Sequence, residues 1–150
     1  MKVLMVCLGN ICRSPLAEGL LKRKAEEKGL DWEIESAGTG AWHIGEKPDS
    51  RSIEVAEKHG LDITNQRARK FSPKDFDHFD LIYAMDTSNY RDLIRQAHNR
   101  EEEDKVEMIL NEAYPGMNRA VPDPYYKRAG FEEVYGLLDK ACGKIVEKYA

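Results

Sequence analysis

The chain has 150 residues, 41% apolar and 33% charged, with a net charge of −4. A chain of this length can bury about two thirds of the surface its unfolded form exposes, so one domain over residues 1–150 with a full core is expected. No basic stripe stands out, which argues against a nucleic-acid partner, and no stretch approaches the ~18 apolar residues of a membrane span. Val3 to Val6 is too short an apolar run for a signal-peptide core, and three cysteines at spacings that suit neither a disulfide framework nor a zinc site agree with a reducing, cytoplasmic setting.

Lys2 to Cys7 reads as a strand buried on both faces, because it is a short continuous apolar run ending at a glycine-containing loop. Ser14 as N-cap and Pro15 at the first helical position open a helix with Leu16, Ala17, Leu20, Leu21 and Ala25 on its apolar face, which Gly29 stops. Trp32 to Ser36 is a second strand, and Ala37 to Gly40 a loop. Asp49 to His59 is helical and ends at Gly60, whereas Arg67 to Lys70 reads as a solvated face. Phe79 to Ala84 is a third strand, Asp86 to Asn89 caps a helix running to about His98, and Val106 to Leu110 is a short fourth strand. A proline- and glycine-rich loop carries Val121-Pro-Asp-Pro-Tyr-Tyr126. Phe131, Val134, Leu137, Leu138, Ala141, Ile145 and Val146 then mark an amphipathic C-terminal helix with Cys142 in the core. The four histidines show no metal-ligand spacing and read as surface residues. Alternating strands and helices indicate βαβ units, hence a parallel sheet covered on both faces, with ligands bound beyond the carboxyl ends of the strands. Cys7 lies at such an end.

The loop after Cys7 carries the chemistry. Consecutive backbone N–H groups in a tight loop leading into a helix N-terminus form a positive nest for a phosphate-like dianion. Gly9 lets the backbone approach a ligand closely, and Asn10 tolerates the left-handed region. The same field favours the thiolate of Cys7, which makes it a candidate nucleophile near neutral pH. Arg13 adds a planar fork that can hold two phosphoryl oxygens, and Ser14 can cap the helix, donate its hydroxyl to the Cys7 sulfur, or both. The plain alternative, a buried Cys7 with Arg13 in a surface pair, does not account for a strand end, a glycine loop, a serine and a proline arriving together.

The segment Val6-Cys-Leu-Gly-Asn-Ile-Cys-Arg-Ser-Pro15, with Asp123-Pro-Tyr-Tyr126, resembles the low-molecular-weight protein tyrosine phosphatases. The likeness runs nearly end to end, through Ser36-Ala-Gly38, Trp42-His43, Met85-Asp86 and the final helix. It implies an α/β, flavodoxin-like three-layer sandwich with a four-stranded parallel sheet, and hydrolysis of phosphotyrosine in protein or peptide substrates through a cysteinyl-phosphate, with no metal or other cofactor. By that resemblance Cys7 is the nucleophile, Leu8, Gly9, Asn10, Ile11 and Cys12 form the phosphate loop with Arg13 as clamp, Ser14 is the thiolate's partner and Asp123 the general acid. Pro122 and Pro124 stiffen the acid's loop. Tyr125, Tyr126 and Trp42 are candidate walls of an aromatic slot, although any of them also suits a half-buried core position. Cys12 either fills space beneath the loop or, as the family suggests, resolves an oxidised Cys7 as a disulfide. Gln66 stands where family members of the mammalian type commonly carry a histidine. A monomer is the expected state. The rival readings are an arginine phosphatase of the same fold, against which Ile11 and the paired tyrosines speak; arsenate reduction, which needs a further cysteine pair; and a phosphocarrier or phosphotyrosine-binding module without turnover.

Overall fold

A computed structural model describes residues 1–125 and 130–150. The expected first strand forms as β1 (Lys2–Cys7), followed by α1 (Arg13–Glu27), β2 (Glu33–Gly38), α2 (Ser50–Lys58), α3 (Asp75–His78), β3 (Leu81–Ala84), α4 (Thr87–Gln96), α5 (Arg100–Glu103), β4 (Val106–Met108) and α6 (Gly130–Tyr149). Among the described residues the four strands make one all-parallel sheet in the order β2-β1-β3-β4, in register Val3 to Ile34 on one side of β1 and Val3 to Leu81 on the other. The chain leaves β1 toward β2 and then returns across it to β3. Strand order therefore reverses at β1, and its carboxyl end opens into the crevice where such sheets bind ligands.

Alternation along β1 divides the core into two layers. Val3, Met5 and Cys7 face the cluster built by α1, α2 and α6, with Leu16, Leu20, Leu138 and Ile145 fully enclosed. Leu4 and Val6 face Phe71, Phe76, Phe79 and Leu93 on the side of α3 and α4. Helices thus cover both faces, which is why the strands read as continuous apolar runs. Cys142, fully buried on α6, donates its thiol to the Ala17 carbonyl of α1 at 3.6 Å and belongs to the core as expected.

Several boundaries differ from the sequence expectation. Ser14 is not the cap of α1: Cys12 occupies the N-cap position without a side-chain cap, and Arg13 is already helical. Pro15 consequently sits two positions inside the first turn, where its missing N–H still costs nothing because those donors have no partner in the helix. The second strand continues through Ala37 and Gly38, which pair with Val6 and Cys7. The third strand begins only at Leu81, because Phe79 follows the short α3 and turns into the core. β4 ends at Met108, and Ile109–Asn111 winds into a 3-10 turn. Asp86 caps its helix as expected, and Asp49, read as helical, is instead the cap before Ser50; each side chain accepts a backbone N–H of its helix's first turn. Arg67 to Lys70 is more than a solvated face: Ala68 is buried, Lys70 pairs with Gly38 at the sheet edge, and Arg69 forks onto Asp75 with both contacts at 3.1 Å. Among the described residues no helix is long and apolar enough to cross a membrane.

Candidate active site

The loop from Leu8 to Cys12 takes its shape from what its carbonyls do. Those of Cys7, Leu8 and Ile11 accept from the N–H groups of Thr39 (2.9 Å), Gly40 (2.9 Å) and Asp49 (2.7 Å). In a trans peptide the N–H points opposite to the C=O, so the N–H groups of Leu8, Gly9 and Cys12 turn away from these outer partners and toward the inside of the loop. Asn10 takes φ 57°, one of two left-handed non-glycine positions among the described residues, and its carboxamide holds the loop from beneath. Its Nδ2 donates to Ser14 Oγ (2.8 Å) and Ser36 Oγ (2.9 Å), and its Oδ1 accepts the Arg69 N–H (3.0 Å). The line of contacts continues outward, since Ser36 donates to the buried carboxylate of Glu18 (2.6 Å), which Lys22 pairs at 2.6 Å. Gly38 is required by proximity: a Cβ there would stand 2.8 Å from the Leu8 carbonyl oxygen.

Cys7 is buried at the end of β1, with Sγ 3.0 Å from Ser14 Oγ. Released from capping, the Ser14 hydroxyl sits between the sulfur and Asn10. Arg13 is only 3% exposed; its Nη1 donates to Asp86 Oδ2 (2.8 Å) and the Val121 carbonyl (3.0 Å), while Nη2 lies 3.8 Å from Asp123 Oδ2. Burial works to lower the pKa of this guanidinium, but the charges it faces on Cys7, Asp86 and Asp123 raise it above the ordinary arginine value, so it stays a cation. The Val121 N–H in turn donates to the Met85 carbonyl at 2.8 Å, which ties the proline loop to the end of β3.

Cys7, Leu8, Gly9, Ile11, Cys12 and Arg13 form the floor of a cleft of about 210 Å³, and Trp42, Asp123 and Tyr125 rise around it. Every expected site residue among those described lines this cleft except Asn10 and Ser14, which lie beneath it. Trp42 is 70% exposed and Tyr125 40%, so both are rim residues and not core aromatics. Tyr126 lies outside the described residues. Asp123 has a partly exposed carboxylate, and its Oδ1 accepts the Tyr125 N–H at 3.1 Å. Cys12 has a thiol that burial first, and then the charge of Asp49, pushes up to about 12. Gln66 donates to the Pro15 carbonyl at 3.0 Å, bracing the first turn of α1.

Sequence reasoning passed over several contributors. His43, read as a surface residue, lines the cleft, with its ring 3.1 Å from where a Gly9 Cβ would stand. Glu18 gave a signal that could have been used, an acidic residue between Ala17 and Leu20 on the apolar face of a helix, where a carboxylate needs a partner. Arg69 acts through its backbone N–H, which leaves no trace in side-chain type. Glu33, Glu35 and His78 converge at the far edge of the sheet, a grouping of potential metal ligands that spacing alone did not show, and they carry no part of this cleft.

The model of the family described as low molecular weight phosphotyrosine protein phosphatase matches residues 2–150. The low molecular weight phosphotyrosine protein phosphatase of Schizosaccharomyces pombe is 46% identical over 138 residues, covering 89% of this chain and 87% of the relative. A crystal structure of a protein tyrosine phosphatase from Entamoeba histolytica, with Hepes in its active site, is 36% identical and superposes with a TM-score of 0.92 over 99% of this chain and 96% of that one. A Drosophila arginine phosphatase superposes equally well, with a TM-score of 0.92, at 34% identity over 99% of this chain and 98% of that one. The parallel sheet, the loop nest at its switch point and these relatives agree, and the chain belongs to the low molecular weight phosphotyrosine protein phosphatase family.

Proposed function

We propose that the chain hydrolyses phosphotyrosine in proteins or peptides by two displacements at Cys7. The phosphoryl group sits in the loop, its oxygens held by the inward N–H groups and by the Arg13 fork. The Cys7 thiolate attacks phosphorus, a sulfur–phosphorus bond forms as the ester P–O bond breaks, and Asp123 gives its proton to the departing phenolate oxygen. Water then attacks the cysteinyl-phosphate, Asp123 takes the water's proton, and the sulfur leaves as thiolate with the Ser14 hydroxyl positioned to hydrogen-bond it. Asp86 holds Arg13 and caps α4 with its two oxygens, which suits it to orienting the clamp and leaves Asp123 as the acid.

The observation that carries this reading is the convergence of Cys7, Arg13 and Asp123 on one cleft, with the Asp123 carboxylate beside the clamp that would grip the phosphate. Trp42 and Tyr125 offer faces to an aryl ring, and a slot walled in this way favours phosphotyrosine over the shorter phosphoserine. Hydrolysis of phosphoarginine is the second reading, favoured by the Drosophila structure; Ile11 in the floor and Tyr125 on the rim support the aryl ester instead. Release of phosphate from matched phosphotyrosine, phosphoserine and phosphoarginine peptides decides among them. The phosphotyrosine peptide should react fastest, and Cys7→Ser should bind it while losing about 10⁴-fold or more in turnover, because a serine alkoxide is not available at neutral pH. Faster release from phosphoarginine would overturn the substrate, and turnover by Cys7→Ser would overturn the nucleophile. We also assign Cys12, which shares the cleft floor with Cys7, as the thiol that resolves an oxidised Cys7.

A further inference from the structure

Arg51, in the first turn of α2, faces three partners from one planar group. Asp49, the cap of that helix, accepts Nε on Oδ1 (3.0 Å) and Nη2 on Oδ2 (2.9 Å), a two-point grip that fixes the plane of the guanidinium. Nη1 is left to donate to the Tyr125 carbonyl at 2.7 Å. The same cation lies over the Tyr125 ring (5.2 Å to the centroid) and the Phe131 ring at the start of α6 (4.8 Å). Asp49 is itself tied to the phosphate loop, since its N–H donates to the Ile11 carbonyl at 2.7 Å. On the other side the Tyr125 N–H donates to the Asp123 carboxylate, which stands 3.8 Å from Arg13.

These contacts form a continuous bridge from the phosphate loop through Asp49 and Arg51 to Tyr125 and Asp123. We propose that Arg51 is a positioning residue for the general acid: it latches the Asp123 to Tyr125 loop onto the rim of the phosphate loop, so that the acid's carboxyl is held where the leaving oxygen departs. The inference rests on the assignment of Asp123 as general acid. An arginine that merely decorated α2 would need only its partly buried pair with Asp49. Arg51 instead turns Nη1, which the pair with Asp49 does not use, to the backbone of the acid loop, and a lysine, a point charge without the planar fork, cannot keep the two-point grip on Asp49 together with this contact. Proton transfer contributes about 10²–10⁴-fold to such reactions and depends on placement to within about 1 Å, so loosening the latch should cost rate wherever the proton matters.

The test compares kcat/KM for phenyl phosphate, a poor leaving group, and p-nitrophenyl phosphate, a good one, in the parent, Arg51→Ala, Arg51→Lys, Asp123→Asn and the Arg51→Ala/Asp123→Asn double variant. Arg51→Ala should lose about 10–100-fold on phenyl phosphate and under about threefold on p-nitrophenyl phosphate. Arg51→Lys, which retains a cation beside Asp49, should show the same selective loss and keeps the test alive if the alanine variant folds poorly. In the double variant Arg51→Ala should add almost nothing, since the group it positions is gone. A steep leaving-group dependence in Asp123→Asn alongside an even loss in both Arg51 variants, or additive losses in the double variant, would overturn the latch alone. An even loss in Asp123→Asn would overturn the acid assignment and the latch with it.

Discussion

Cys12 and Cys7 share one loop, but their sulfurs have different surroundings. Cys7 meets the Ser14 hydroxyl at 3.0 Å, whereas the Cys12 thiol, buried and near Asp49, is pushed up to about 12 and stays protonated at neutral pH. Mild peroxide should convert Cys7 to a sulfenic acid, which condenses with the Cys12 thiol to form a disulfide and release water. Inactivation should therefore be reversed by added thiol, a Cys7–Cys12 linkage should be found by peptide mapping, and inorganic phosphate should slow the loss by filling the loop. In Cys12→Ser the loss should become irreversible; equal recovery in both proteins would reject the resolving role. At this scale the sequence was most legible where chemistry-bearing residue types crowd a short motif, as with Cys7 and Arg13, which the structure brings to one cleft floor. It was least legible where a role is created by distance: Arg69 supports Asn10 through its main chain from 59 positions away, and Arg51 meets Tyr125 across 74.

Elements of ten residues or so announced themselves through periodicity and caps, because several apolar positions must agree on one face before the pattern can be read. The four-residue helices Asp75–His78 and Arg100–Glu103 and the turn Ile109–Asn111 are too short for such agreement. The misplaced start of α1 has another cause. Ser14 has the chemistry of a cap, but the sulfur and Asn10 claim its hydroxyl, so tertiary contacts override a local preference. Gly38 shows the same at the end of β2, where glycine suggests a loop yet serves as a strand residue against which the phosphate loop packs. Gly38→Ala should place a Cβ 2.8 Å from the Leu8 carbonyl, and backbone cannot yield as a flexible side chain would. A loss of about 1–3 kcal/mol in stability is expected, together with a fall in kcat/KM as the loop is displaced. Gly136→Ala on the exposed side of α6 meets nothing within 4 Å and should gain about 0.5–1 kcal/mol with activity unchanged. Urea melts and initial rates on the two variants check the contrast; activity retained in Gly38→Ala would mean that the close approach is not needed.

On the scale of the whole molecule the alternation of strands and helices was enough to give the parallel sheet and its covered faces, because parallel neighbours require crossovers and crossovers here are helical. The order of strands follows less directly from sequence, yet it is the reversal at β1 that puts Cys7 in a crevice. The same enclosure has a thermodynamic consequence away from the cleft. Burial holds the thiols of Cys12 and Cys142 at a pKa of about 12, against an ordinary 9.0, and raises the Tyr83 phenol, which donates to Glu112 at 2.6 Å. For each group the folded state keeps its proton at a pH where the unfolded chain has lost it, so the unfolded state binds fewer protons and stability falls as pH rises. The contribution is complete below pH 9 and is lost progressively as pH climbs through about 12. Each cysteine should add up to about 1.4 kcal/mol per pH unit to that decline. Cys142→Ala, which removes one such group far from the chemistry and loses its bond to the Ala17 carbonyl, should be less stable than the parent at pH 8 and should converge on it, or overtake it, as pH rises beyond 10. Urea unfolding of both proteins at half-unit steps from pH 8 to 11 measures the two slopes. Parallel curves would mean that the Cys142 proton is not linked to folding and that the alkaline decline arises elsewhere, with Tyr83 the first group to test by Tyr83→Phe.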